Sequence, residues 1–222
     1  MRLAVWDVDG TLVDSRALIF DCCRHTLVQA GLPEPSYDAV RQVVGLSLGH
    51  ALSLLAPGLG PAGIQRAEEI YKSRFREHRA RPGFAEPLYD GAAETLKRLK
   101  AEGWRQAIAT GKTRRGVEAI VALHGWAPLF HSIHCADDGP GKPDPAMLLA
   151  ALAAAGARPG QAVMIGDSVH DVRMARAAGV RVLGVSWGFN TAEELSAAGA
   201  DEVVSDFTSL NRLLDGAFTV AP

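Results

Sequence analysis

Short apolar runs that alternate with longer helical stretches constrain this chain more than any other feature of its sequence. Residues 3–8 read as a buried strand, 107–109 centre a second, and Ser132–Cys135 is a weaker third. Residues 162–165, 180–185 and 202–204 follow as three more. Helices are predicted between them over 92–102, 114–124, 145–155 and 169–178, with Asp144 as the N-cap of the third. They stop at Gly103, Gly125, Gly156 and Gly179, where a left-handed cap costs least. Such alternation produces a parallel sheet covered by helices on both faces. Right-handed crossovers then bring the C-terminal ends of all strands to one edge, where ligands gather.

One stretch breaks the rhythm. Residues 15–88 carry helical segments at 17–30, 37–44, 48–55 and 62–79 but no convincing strand. The expected fold class is therefore α/β, with a Rossmann-like parallel sheet core and an inserted, small, all-helical cap. The core is assigned to residues 1–14 and 89–222, and the cap to residues 15–88.

Bulk properties remove several function classes. A net charge of −2 gives no broad electrostatic footprint for nucleic acid, so a bound anion must be held by local charges. Three cysteines, Cys22, Cys23 and Cys135, form neither a disulfide framework nor a CxxC zinc pair. The chain starts with an apolar run and then acids, which no signal peptide does. No apolar stretch approaches the ~20 residues of a membrane span. The expected location is the cytoplasm, as a monomer or homodimer with no membrane partner.

The chemistry sits at the strand ends. The first strand runs into Asp7-Val8-Asp9-Gly10-Thr11. Two carboxylates two residues apart point the same way from an extended chain, and they are costly together unless a cation or a proton is shared. The second strand ends in Thr110-Gly111-Lys112-Thr113, where a hydroxyl and a glycine amide suit the oxygens of an anion. The same residues are not the end of a P-loop, because position 106 is Gln106 where that motif needs glycine. Lys142 stands between Gly141 and Pro143 just before a helix, either as part of a surface loop or rigidly placed where it could neutralise charge on a nucleophile and a transferring phosphoryl group. The fourth strand ends in Gly166-Asp167-Ser168-Val169-His170-Asp171, whose two acids share a face as the next helix begins. Hard oxygen donors from two strand ends suit Mg2+. Two other patterns carry no such chemistry. Gly58 to Gly63 spells GxGxxG, but no strand precedes it and Pro61 lies inside it; His131 and His134 flank a weak strand and read as structural.

In order and spacing these four pieces resemble the four motifs of the haloacid dehalogenase (HAD) superfamily, over nearly the whole chain and with a helical cap after the first motif. The resemblance implies that Asp7 is a nucleophile that forms an aspartyl-phosphate, and that Asp9 is the acid and then the base. It implies that Thr110, Gly111 and Lys142 hold the phosphoryl group, and that Mg2+ is bound by the Asp7 carboxylate, the Asp9 backbone carbonyl and Asp167. Asp171 would orient the metal's water shell or Lys142.

Asp9 narrows the choice, since superfamily dehalogenases and phosphonate hydrolases lack an aspartate at that place, while phosphatases and phosphomutases keep it. The tail, Gly184-Val185-Ser186-Trp187-Gly188-Phe189-Asn190 with Leu195, Gly199-Ala200-Asp201 and Leu210, is similar to that of phosphoglycolate phosphatase relatives, as is Val44-Gly45-Leu46-Ser47-Leu48. The implied partner is a small phosphate ester, with phosphoglycolate the first guess. A β-phosphoglucomutase-type mutase, a pyrophosphatase and a nucleotide phosphatase stay open. In the cap, Lys72, Arg74, Arg76, His78, Arg79 and Arg81 crowd one helix end, and Arg41 and His50 flank the Gly45 turn. Either these side chains form a solvated helix face, or one of them reaches a distal carboxylate of the substrate; Arg41, His50 and Arg74 are the candidates.

Overall fold

The computed structural model of the protein describes residues 1–216. Among the described residues one sheet of six strands forms, β1 (Leu3–Trp6), β2 (Arg105–Thr110), β3 (Ser132–Cys135), β4 (Ala162–Gly166), β5 (Arg181–Val185) and β6 (Glu202–Val204). Every pair is parallel, and the spatial order is β3-β2-β1-β4-β5-β6. The chain thus starts in the middle and winds outward to both sides, which leaves a crevice beyond the C-terminal ends where the order reverses, between β1 and β4.

The uninterrupted apolar runs have a simple cause: both sheet faces are buried. Leu3 and Val5 point into one core cluster, and Ala4 and Trp6 into the other. The Ala4 side is closed by α5 (Ala92–Ala101), α6 (Arg114–Leu123) and α10 (Phe207–Gly216). The Leu3 side is closed by α7 (Ala146–Ala155), α8 (Val169–Ala177) and Leu195 of α9 (Ala192–Ala198).

Between β1 and α5 lie four helices, α1 (Arg16–Gln29), α2 (Tyr37–Arg41), α3 (Leu48–Leu55) and α4 (Pro61–Arg79). The chain leaves for this region and returns from it side by side. Asp14 N donates to Pro87 O at 2.8 Å, and Tyr89 N donates to Leu12 O at 3.1 Å. The region has its own small apolar cluster of Ile19, Cys23 and Val40, joined by Phe189 from the loop after β5.

Three expectations need correction. The helix expected over 37–44 ends at Arg41, and the chain then turns through Gly45, at φ 97°. α7 begins at Ala146 with Pro145 as its N-cap, although Asp144 still accepts a hydrogen bond from Ala146 N at 2.9 Å. α9 and α10 were not anticipated, yet α9 carries a legible capping box in which Thr191 and Glu194 satisfy each other's backbone N–H groups.

Candidate active site

β1 delivers Asp7 to the crevice. Asp7 N continues the ladder to Ile165 O at 3.0 Å, and its Oδ1 accepts from Val8 N at 2.7 Å. Behind it stands Lys142, 1% exposed, with Nζ 2.9 Å from Asp7 Oδ1 and 2.6 Å from Asp171 Oδ1. The other Asp171 oxygen accepts from Ser168 Oγ at 2.6 Å and Ser168 N at 3.1 Å, so one capping box both starts α8 and aims the acid at Lys142. Asp167 accepts from Thr11 Oγ1 and Phe189 N, each at 2.8 Å. Gly10, at φ 80°, and Gly188 flank Asp167 so closely that a β-carbon on either would collide with its carboxylate.

This packing leaves its mark on the titration of the acids. Burial pushes Asp7 up to about 7; the Lys142 charge opposes the rise, and Asp171 and Asp9 add to it. Burial, reinforced by the charges of Asp7 and Asp171, raises Asp167 well above the usual carboxylate range. Burial also works against the Lys142 ammonium, but Asp171 and Asp7 outweigh it and raise its pKa above the ordinary lysine value. The arrangement keeps a cation against Asp7 and still leaves negative charge uncompensated.

Asp9 faces elsewhere. Both of its oxygens accept from Lys112 Nζ, at 2.6 and 2.8 Å. Lys112 also lies over the Phe75 ring at 5.2 Å and 3.9 Å from the buried Glu86. Asp7, Asp9, Thr110 and Gly111 line one side of a cavity of about 420 Å³. The opposite side is mostly apolar and comes from the inserted helices, with Ile19, Val43, Leu46, Leu48, Tyr71 and Phe75. The inserted region presses hard on the sheet edge: a β-carbon on Gly111 would lie 2.6 Å from the carbonyl oxygens of both Gly45 and Leu46.

The family description "haloacid dehalogenase-like hydrolase" matches residues 4–185. The chain belongs to the haloacid dehalogenase-like hydrolases. Within them it is similar to the phosphoglycolate phosphatase group. It is 35% identical over 215 residues to a phosphoglycolate phosphatase of Rhodospirillum rubrum, covering 94% of this chain and 89% of the relative. It is 32% identical over 210 residues to the probable phosphatase IndB of Dickeya dadantii, covering 94% and 91%. A solved hydrolase structure from Pseudomonas syringae superposes with a TM-score of 0.87 at 26% identity, over 97% of this chain and 99% of that one.

A haloacid dehalogenase-like hydrolase of the phosphatase kind implies Mg2+, and the residues present fit it. Asp7, Asp167 and Asp171, all buried, each offer an oxygen within 4.8 Å of the others. Hard carboxylate donors with uncompensated charge are what a small divalent cation takes. Asp7 and Asp167, two of the ligands expected from the sequence, stand in this grouping beside Asp171; the third expected ligand is the backbone carbonyl of Asp9, whose side chain is held by Lys112.

In this hydrolase the three cap candidates lie off the cavity lining. Arg41 pairs with Asp38 and Glu194, each at 2.8 Å, and ties α2 to α9. Arg74 pairs with Asp21 of α1 at 2.9 Å. His50 is exposed. The lining residues of α4 are instead Tyr71, Lys72, Phe75, Arg76 and Arg79. Spacings of three and four keep them on one helix face, and Arg74, two residues from Arg76, falls on another. Lys112 and Glu86 are the residues that sequence reasoning missed. Only the position of Lys112 next to Gly111 could have singled it out; Glu86 gave no signal.

Proposed function

We propose that this enzyme is a Mg2+-dependent phosphatase that cleaves a small phosphorylated metabolite through an aspartyl-phosphate on Asp7, with residues 15–88 acting as a cap over a core of 1–14 and 89–222. Family membership and the phosphatase relatives support the reaction class. The observation that carries the mechanism is the pairing of a buried, lysine-backed Asp7 with Asp9 on the same side of one cavity.

The Asp7 carboxylate attacks phosphorus, and the bond to the leaving oxygen breaks. Asp9 gives a proton to that oxygen, then takes one from the water that splits the aspartyl-phosphate, returning Asp7 and inorganic phosphate. Lys142 favours the ionised Asp7 carboxylate against the effect of its burial and offsets charge on the phosphoryl group, and the Thr110 hydroxyl donates to its oxygens. Asp171 holds Lys142 in place. In the observed geometry Lys112 grips Asp9 as a carboxylate, so Asp9 must leave that ion pair before it donates a proton. Asp7, Asp167 and the Asp9 backbone carbonyl would hold Mg2+, which when bound adds positive charge where the phosphoryl oxygens gather.

Phosphoglycolate is the first substrate to test, because relatives over most of the chain are named phosphoglycolate phosphatases. Among the described residues no helix is long and apolar enough to cross a membrane. We place the enzyme in the cytoplasm, as a monomer or homodimer whose partner is the small-molecule ester. The test is phosphate release from a panel of esters with Mg2+, together with single-turnover labelling by a ³²P-substrate. Asp7→Asn should lose both turnover and protein-bound label; label retained by that variant would sink the nucleophile assignment. Turnover that requires a sugar bisphosphate primer would point to a mutase.

A further inference from the structure

Glu86 is 2% exposed, and only half of its carboxylate is in use. Oε2 accepts from Arg79, in the last turn of α4, at 2.8 Å. Oε1 is buried and has no hydrogen-bond partner among the described residues. This idle oxygen lies 3.9 Å from Lys112 Nζ, just beyond hydrogen-bond reach. A buried carboxylate oxygen without a donor costs free energy, so the gap needs a physical reason.

Lys112 is placed to close that gap. Its backbone is fixed, since N donates to Thr110 Oγ1 at 3.3 Å and O accepts from Ala136 N at 3.1 Å. Its side chain is a point charge on a flexible stem, lying against the Phe75 ring. Among the described residues, Asp9 and Glu86 are the only carboxylates within ion-pair distance of it. Glu86, by contrast, is anchored: Arg79 holds its side chain, and the O of the next residue, Pro87, accepts from Asp14 N. One mobile cation thus stands between two acids, bound to one and just short of the other.

The reaction proposed above asks Asp9 to be two things in turn. As the base it is a carboxylate. As the acid it carries the proton it took from water in the preceding turnover. A cation in contact favours the carboxylate and opposes the acid. Lys112 fixed on Asp9 would therefore hinder one half of the cycle. Resting on that reading of Asp9, we propose that Glu86 is a positioning residue, which takes Lys112 from Asp9 while Asp9 is protonated and gives it back once Asp9 is a carboxylate. Lys112 stays an ammonium at both stations. The one proton that moves is taken by Asp9 from water and given to the leaving oxygen. Glu86 is not part of the cavity lining and acts through Lys112.

The test uses the intact enzyme with Mg2+ and two esters of similar shape. The leaving oxygen of phenyl phosphate needs a proton, whereas 2,4-dinitrophenyl phosphate releases a stable anion. kcat/KM covers the steps up to phosphorylation of Asp7, in which Asp9 is the acid. Glu86→Gln keeps the shape of the side chain and an acceptor for Arg79 but has no charge to draw Lys112. It should lower kcat/KM for phenyl phosphate by about tenfold or more, a part of the roughly 10²–10⁴ of a general acid, and leave 2,4-dinitrophenyl phosphate within about twofold. In a Lys112→Met background the same substitution should leave the ratio of the two esters unchanged, because the cation it acts through is gone. An equal fall for both esters, no fall for either, or a selective fall that persists without Lys112 overturns the proposal. Should Glu86→Gln not fold, as read by circular dichroism, Lys112→Met decides alone. It should keep at least the wild-type ratio, and a collapsed ratio would show that Lys112 must stay on Asp9. Asp9→Asn, with Glu86 untouched, checks the reading beneath and should depress phenyl phosphate selectively. If it depresses both esters alike, or if the wild type releases phosphate from neither, the acid role of Asp9 falls and the role of Glu86 with it.

Discussion

On the sheet side of the cavity, Asp7, Asp167, Asp171 and Lys142 are all at most 2% exposed, and each has at least two polar partners. On the side of the inserted helices the contacts are of another kind: apolar side chains, backbone laid on a glycine at Gly111, and partly exposed ion pairs such as Arg41–Glu194. On the sheet side Lys142 is the shared cation of Asp7 and Asp171, so its loss leaves two acids without a counter-charge in a poor solvent for charge, while Asp167 is held by Thr11 and Phe189 N. The other side is held by contacts that can part and re-form. Substitutions below Asp7 should therefore cost stability and activity together, and those along the seam should cost activity with the fold kept.

After the complete loss of turnover expected of Asp7→Asn, the largest effect is on Asp9, which belongs to the sheet side by sequence but faces the cavity. Asp9→Asn should lower kcat/KM by about 10²–10⁴, the usual contribution of a general acid–base, with a little-changed unfolding curve. If only the Mg2+ dependence changed, Asp9 would act as a ligand and not as the acid–base. Lys142→Met should lower stability by about 3–5 kcal/mol, because it strands Asp7 and Asp171 as buried unpaired charges. An unchanged denaturation midpoint would show that the network is not coupled. Gly111→Ala tests the seam: its β-carbon meets the Gly45 and Leu46 carbonyls, so the inserted helices must lift. Misplacement on the ångström scale predicts a fall in kcat/KM of up to about 10²-fold with little change in thermal unfolding. A drop in stability as large as that of Lys142→Met would erase the contrast between the two sides.

The smallest effect is at Glu194, whose carboxyl is lowered to about 2 by its bonds from Arg41, Asn190 and Thr191. A depressed acid stabilises the folded state above its ordinary value of 4.5, and the contribution is lost as pH falls from there toward 2. Hydrogen exchange over residues 36–47 should quicken in that window in the wild type. In Glu194→Gln it should already be faster at neutral pH, at a cost of no more than about 1 kcal/mol for a partly exposed pair.

Strand and helix positions were legible because the signals are local. β3 occupies Ser132–Cys135 and α3 occupies Leu48–Leu55, as periodicity places them. Helix propensity at 42–44 was overridden: that stretch turns so that Gln42 O can meet His170 Nε2 at 3.0 Å and Gly45 can sit against Ser168. Asp7, Thr110, Lys142, Asp167 and Asp171 were readable because a parallel sheet brings every strand end to one edge, whatever lies between in sequence.

The sequence by itself determined the order of the elements, the two-sided burial of the strands and the acids, hydroxyl and lysine at their ends. Each of these depends on residues close together along the chain. Only the tertiary structure decided that Lys112 grips Asp9, a pair 103 residues apart, and that Arg76 lines the cavity while Arg74 binds Asp21. Residues two apart on a helix point some 200° apart. Which of them lines the cavity depends on the rotation of α4 over the sheet, and packing between distant elements sets that rotation.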